Sequence, residues 1–230
     1  MAYIGQQPAP LALTASDITD GIITTAKIAD NNVTSAKILD GTIASGDLAS
    51  GVGGSMVKLS SATASNSANI TFDSSVITST YKYYQIHCID VVIQTDSESV
   101  KINISTDNGS SYITSNYHFL HNVSDTGTSS NAVETRYSAS NSLIPVFGIT
   151  SGFGNASNEQ GFSIIELLNP HSAKAKLFRY NSTYLNNNGE LTENVGHAMY
   201  DTTSAVNNIK LLCGAGNITS GTFILYGVNP

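Results

Sequence analysis

The sequence predicts an all-β chain: a repetitive, extended and trimeric N-terminal stem followed by a jelly-roll-like β-sandwich domain. Three observations carry that expectation. Residues 20–49 repeat every ten positions, as units 20–29, 30–39 and 40–49. Beyond residue 55, apolar runs of strand length alternate with turn signals, and no long segment has helical spacing. Charged residues make up 12% of the chain, against roughly 25% in ordinary soluble domains. Ser, Thr, Asn and Gly stand in their place.

Residues 1–10 form a leader, opening Met1-Ala2-Tyr3-Ile4-Gly5-Gln6-Gln7-Pro8, whose Pro8 and Pro10 disfavour regular structure. Residues 11–50 are the stem. Reduced to apolar positions its period is five: Leu13, Ile18, Ile23, Ile28, Val33, Ile38, Ile43 and Leu48. Five fits neither the three-and-four spacing of a helix nor the two of a strand, so each unit is expected to bend. Asp20-Gly21 and Asp40-Gly41 favour turns because Asp and Gly tolerate positive φ, and Asn31-Asn32 takes the same place in the middle unit. Segments 25–28 and 35–38 fit single helical turns or extended arms. The repeats amount to roughly two coils of a pentapeptide solenoid, too few to bury a core alone. Three chains wound together bring three apolar columns to a shared axis; docking on another protein, or a free linker, are the alternatives.

Residues 51–55 are a Gly-rich hinge by composition. Residues 56–230 form the head, long enough to bury a full core. About ten strands are expected, with segments 81–94, 100–105, 112–121, 143–149, 162–168, 175–185, 209–213 and 223–228 the best candidates. Turn signals recur at Asp107-Asn108-Gly109, Asn187-Asn188-Gly189 and Ser220-Gly221.

Charge and motif content exclude several functions. The net charge is −7 and no basic cluster exists, so nucleic acid is not an expected partner. No apolar run approaches the roughly 20 residues of a membrane span, so no membrane insertion is expected. The start lacks both the basic and the apolar segment of a secretory signal. Cys88 and Cys213 sit in apolar strand-like runs and read as buried free thiols, with a disulfide between them as the alternative that spacing does not decide. No Gly-x-Ser-x-Gly elbow and no phosphate-binding Gly loop occurs. Nothing selects two carboxylates among Glu159, Glu166, Glu190, Glu193, Asp90, Asp96, Asp125 and Asp201 for glycosidase chemistry. His118 and His121, three apart on a strand, point to opposite faces, which disfavours a shared metal. No catalytic residue, metal or cofactor is therefore assigned.

One motif is sharp. The run from Ser105 through Asp107 and Gly109 to Tyr112 resembles the Asp-box of sialidases and related β-proteins, Ser-x-Asp-x-Gly-x-Thr/Ser-aromatic. It reads as a structural hairpin device: Asp107 bonds backbone amides across the turn, Gly109 supplies an unusual φ, and Tyr112 anchors the turn below. In those families it lies away from catalysis, and the arginine cluster of sialidase chemistry is missing, since only Arg136 and Arg179 occur. Tyr and Asn in loops suit sugar recognition, although Tyr is equally at home in β-sandwich strands. The polar loops 122–132, 151–160 and 186–190 are the expected places for receptor contacts.

The leader Met1 to Pro8 resembles the start of tail-fibre and related virion proteins of marine phages, including those of cyanobacteria. The units of type Asp-Gly-Thr-Ile-x-Ser/Thr-Ala-Lys-Ile resemble phage fibre stems. The stretch Gly216-Asn217-Ile218-Thr219-Ser220-Gly221-Thr222-Phe223-Ile224-Leu225-Tyr226-Gly227 is similar to the closing strand of a β domain in those proteins. The resemblance implies a homotrimeric virion appendage, assembled in the host cytoplasm. Its leader would hold tail, baseplate or capsid proteins, and its head would face a host surface glycan. The stem is short for a long tail fibre. A purely structural decoration protein is the alternative, and a polysaccharide-degrading enzyme a more distant one.

Overall fold

The structure, a computed structural model, describes residues 14–39, 42–43, 47–48, 55–127, 134–149 and 152–228. The chain divides into two compact units, Met1–Gly53 and Gly54–Pro230. The leader, Leu13 of the apolar column and most of the hinge lie outside the described residues.

In the first unit the described decads, 20–29 and 30–39, each bend twice. Thr14, Thr24 and Thr34 precede single 3-10 turns at Ala15–Asp17, Thr25–Lys27 and Ser35–Lys37, which resolves the choice between helical turn and extended arm. Five residues on, the chain turns again: Ile22 N–H donates to the Thr19 carbonyl and Asn32 N–H to that of Ala29, both at 3.1 Å. Gly21 and Asn31 take φ of 78° and 66° at the third turn position, where a type II turn requires the left-handed region. One bend per five residues explains why a helix or strand period is absent. Within one chain the column is only partly covered: Ile18, Ile23, Ile28, Val33, Ile38, Ile43 and Leu48 are between 37% and 54% exposed.

The second unit is all-β, two antiparallel sheets with no α-helix among its described residues. Its strands are β1 (Met56–Ser67), β2 (Ile70–Phe72), β3 (Tyr83–Ile93), β4 (Val100–Ser105), β5 (Tyr117–Asp125) and β6 (Glu134–Asn141). They continue as β7 (Ile144–Pro145), β8 (Gly161–Leu168), β9 (Lys176–Leu185), β10 (Leu191–Tyr200), β11 (Asn208–Cys213) and β12 (Ile218–Val228). The larger sheet has the order β1-β12-β3-β8-β9-β10-β5-β6 and the smaller β2-β11-β4-β7. Eight strands pair from the outside inwards along the chain: β1 with β12, β2 with β11, β3 with β8 and β4 with β7. The other four, β9-β10 and β5-β6, are two hairpins that widen the larger sheet beyond β8.

The core lies between the sheets, where Phe72, Ile102 and Ile104 meet Ile86, Cys88 and Phe223. Tyr117 ties the sheets together: its hydroxyl donates to Asn103 Oδ1 and accepts the Ile104 N–H, each at 3.0 Å. Burial pushes its hydroxyl, and that of Tyr180, well above the usual phenol range. Cys88 and Cys213 are buried free thiols. Burial, with the Glu98 carboxylate, raises the Cys213 thiol to about 11.

Four strands, β1, β2, β6 and β10, lie outside the expected segments. β1 is an edge strand of mostly small polar residues, and β10 buries Thr192, Asn194 and Gly196 instead of an apolar series. Hydrophobic patterning carries no signal for either. Segment 112–121 starts too early, because residues 106–112 curl into the Asp-box loop and β5 begins at Tyr117. Segment 143–149 shrinks to two strand residues, since the N–H groups of both Val146 and Phe147 turn onto the Val100 carbonyl.

Candidate functional site

The structure brings Ser105, Asp107, Gly109 and Tyr112 into one loop. Ser105 Oγ donates to Asp107 Oδ1 at 2.6 Å and accepts the N–H of Asp107 (3.1 Å) and of Gly109 (2.8 Å). Asp107 in turn accepts the Ser111 N–H at 2.9 Å and the Ser111 hydroxyl at 2.6 Å. Gly109 has φ 85°. Tyr112 donates to Asn208 Oδ1 at 3.1 Å, with Lys210 Nζ 3.4 Å from its ring centre. The loop returns through the backbone bond from Ile113 N–H to the Ile104 carbonyl at 2.9 Å, and the residues directly after it do not pair with β4, whose strand partners are β11 and β7. It is thus a self-contained loop leaning on β11. The hydroxyls of Ser105 and Ser111, then the Ser111 amide, hold the Asp107 carboxyl at about 2, below its ordinary 3.8. A depressed carboxyl favours the folded loop above its free value and loses that preference on protonation. The loop is therefore expected to be intact above about pH 4 and to loosen as pH falls through about 2. An NMR titration of the Ser111 amide should show that midpoint; one near 3.8 would remove the network from solution.

Several candidates from the sequence belong to the interior. Tyr84, Tyr117, Tyr180 and Tyr184 are at most 1% exposed, so none offers an open ring for stacking. His118 and His121 fall on opposite faces of β5, the second buried beside the Tyr180 hydroxyl at 3.3 Å. No cluster of His, Cys, Asp or Glu among the described residues is arranged to hold a metal. Glu159 accepts the Ala156 N–H at 2.6 Å, and Glu190 accepts the Asn186 amide at 2.9 Å, so both carboxylates shape turns. Part of loop 122–132 is strand, since β5 runs to Asp125.

Asn158 and Gln160 of loop 152–160, with Leu185 and Leu191 on either side of turn 186–190, instead line a cavity of about 460 Å³ at one end of the larger sheet. Each wall has a cause. β3 advances three residues, from Cys88 to Val91, while β8 moves two, from Ser163 to Gly161. The extra residue is a bulge; Asp90 takes φ 53° and is exposed at the cavity. Glu159, 7% exposed, folds back on its own loop and leaves Asn158 and Gln160 on the outside. Asn186, fully buried, accepts the N–H groups of Asn188 and Glu190, fixing the turn between Leu185 and Leu191. Phe162 on β8 and Thr183 on β9 complete the lining from the outer face of the sheet. Hydrophobic periodicity misses this site because the bulge and the buried Asn186 are polar, local departures from it.

Nearer the opposite end, Glu166 receives Arg179, Tyr83 and Gln85. Burial raises its carboxyl, but Arg179 and the Tyr83 hydroxyl outweigh that and hold it below the usual range. Beside this group Leu120, Leu177 and Met199 line a shallow apolar hollow with His118 and His197.

Comparison with protein-family models, curated proteins and solved structures found no match. No helix among the described residues is long and apolar enough to cross a membrane.

Proposed function

We propose that the protein is a non-enzymatic phage virion fibre: a trimeric stem, attached to the particle by its leader, carrying a head that adheres to host surface glycans. The observation that carries this reading is the stem column, whose Ile and Val side chains stay exposed in the single chain. Apolar rows of that kind are stabilised by neighbouring copies. The head reading is supported by its strand pairing. Setting aside the two hairpins, eight strands pairing from the outside inwards across two sheets form a jelly roll, a scaffold whose end loops are free to vary. It is supported too by the cavity's place. β1 begins at Met56, whose row runs through Val228, Tyr83 and Leu168, while the cavity residue Gly161 is at the other end of β8. A head tethered at Met56 holds its cavity about 20 Å away along the strands. Three modest sites per fibre would then act by avidity.

The apolar hollow at Leu120, Leu177 and Met199 favours a second reading, a decoration protein packed on other virion proteins. Glycan-array binding by the full-length protein, and its competition with phage adsorption, tests the choice. The fibre reading expects both. Binding to capsid or tail proteins alone, with a silent array, would establish the decoration role instead.

A further inference from the structure

The geometry points to a neutral hexopyranose as the ligand of the cavity between the Asp90 bulge and loop 152–160, with acidic sugars excluded; this rests on the adhesive reading of the head. The cavity's size, about 460 Å³, falls in the roughly 300–1,000 Å³ range of small-molecule sites. One wall is aromatic. Phe162 is 43% exposed on a strand whose neighbours Gly161 and Ser163 are buried, so its ring stands on a rigid base. An exposed ring of that kind offers a stacking face to the apolar side of a pyranose. Leu185 and Leu191 extend the apolar floor.

The polar wall suits hydroxyls. Asp90 only accepts, Asn158 and Gln160 each donate and accept, and Thr183 does both through one oxygen. None of these four side chains forms a hydrogen bond to another described residue, so all are available to a ligand. Sugar hydroxyls, which both donate and accept, satisfy such a mixed set better than an apolar or purely anionic ligand.

The charge selects the class. Among the described residues, Asp90 is the one charged residue of the lining, with no Lys or Arg beside it. Glu193 pairs with Thr183 across β9 and β10 and adds a second exposed carboxylate next to the cavity. The nearest cation on β9, Arg179, is four residues from Thr183 and already engaged by Glu166. A sialic or uronic acid would meet like charge there with no countercharge.

The test uses the full-length protein on an array of neutral hexose oligosaccharides and their sialylated or uronate-bearing counterparts. The best neutral hit is then titrated by calorimetry. Neutral glycans should bind and their acidic counterparts should bind more weakly. Phe162→Ala, a change at an exposed position, should weaken the neutral hit about tenfold. Asp90→Asn keeps a residue type that tolerates positive φ. It should weaken the neutral hit several-fold while narrowing the gap to the acidic counterpart. Unchanged thermal unfolding of both variants will show that the head is intact. Preference for acidic glycans, or neutral binding that neither variant alters, overturns this assignment and leaves the adhesive head standing. An array silent for every glycan overturns both.

Discussion

Replacing Ile23, Val33 and Ile43 together by Asp is expected to turn the proposed trimer into a monomer while leaving the head folded. These side chains are 53%, 54% and 49% exposed in the single chain, so each copy has apolar area left to hide. Burying an Ile or Val side chain is worth about 1.5–3 kcal/mol, and a trimer multiplies the gain along the column. A carboxylate there reverses the sign, because an unpaired charge in an apolar contact is strongly disfavoured. The head has its own core among the described residues, from Ala64 to Leu225, so its unfolding temperature should not move. Sedimentation of the full-length variant is the readout. Trimers of undiminished size would show that assembly runs through another surface and would end the fibre reading.

Gly196→Ala is expected to damage the head strongly for a change of one methyl. Gly196 lies on β10 between Tyr180 on β9 and His121 on β5, its direct partners on either side. The Tyr180 ring crosses the glycine, and its hydroxyl meets His121 Nδ1 at 3.3 Å on the far strand. A Cβ at Gly196 would fall within 3.0 Å of that ring. The ring is fully buried and has no room to yield. Overpacking of this type costs about 1–3 kcal/mol, and more where the neighbour is locked; about 3 kcal/mol lowers the unfolding temperature of a domain this size by roughly 6–12 °C. In a Tyr180→Ala background the same substitution should cost far less, because the clash goes with the ring. Equal costs in both backgrounds would show that strand conformation, and not the ring, demands the glycine.

The head's large sheet also shows what a linear reading can and cannot reach. Strands such as β4, with Val100, Ile102 and Ile104 set between Lys101 and Asn103, announce their apolar face by alternation, although Asn103 is buried too, under the Tyr117 hydroxyl. The Asp-box loop is legible because its bonds close within seven residues, from Ser105 to Ser111. β10 is not legible, because what it buries is a glycine under a ring and two polar residues, Thr192 and Asn194, the latter bonded to the Val146 carbonyl at 3.0 Å. Its identity as a strand depends on partners far along the chain. The same holds for the cavity. Loop 151–160 could be named in advance as a contact region, but Asp90 and Thr183 join it only through pairings among β3, β8 and β9.

The pairing of β1 with β12 and of β12 with β3 sets a timetable for biosynthesis. Met56 lies opposite Val228 and Tyr83 opposite the same residue, so the place between β1 and β3, one strand in from the edge of the large sheet, stays vacant until residues 218–228 have left the ribosome. Until then β1 and β3 are exposed edges in search of a partner, the condition under which nascent chains misassociate. The described turns of the stem close over three residues, so their hydrogen bonds, unlike the β1–β12 pairing, do not wait for distant parts of the chain.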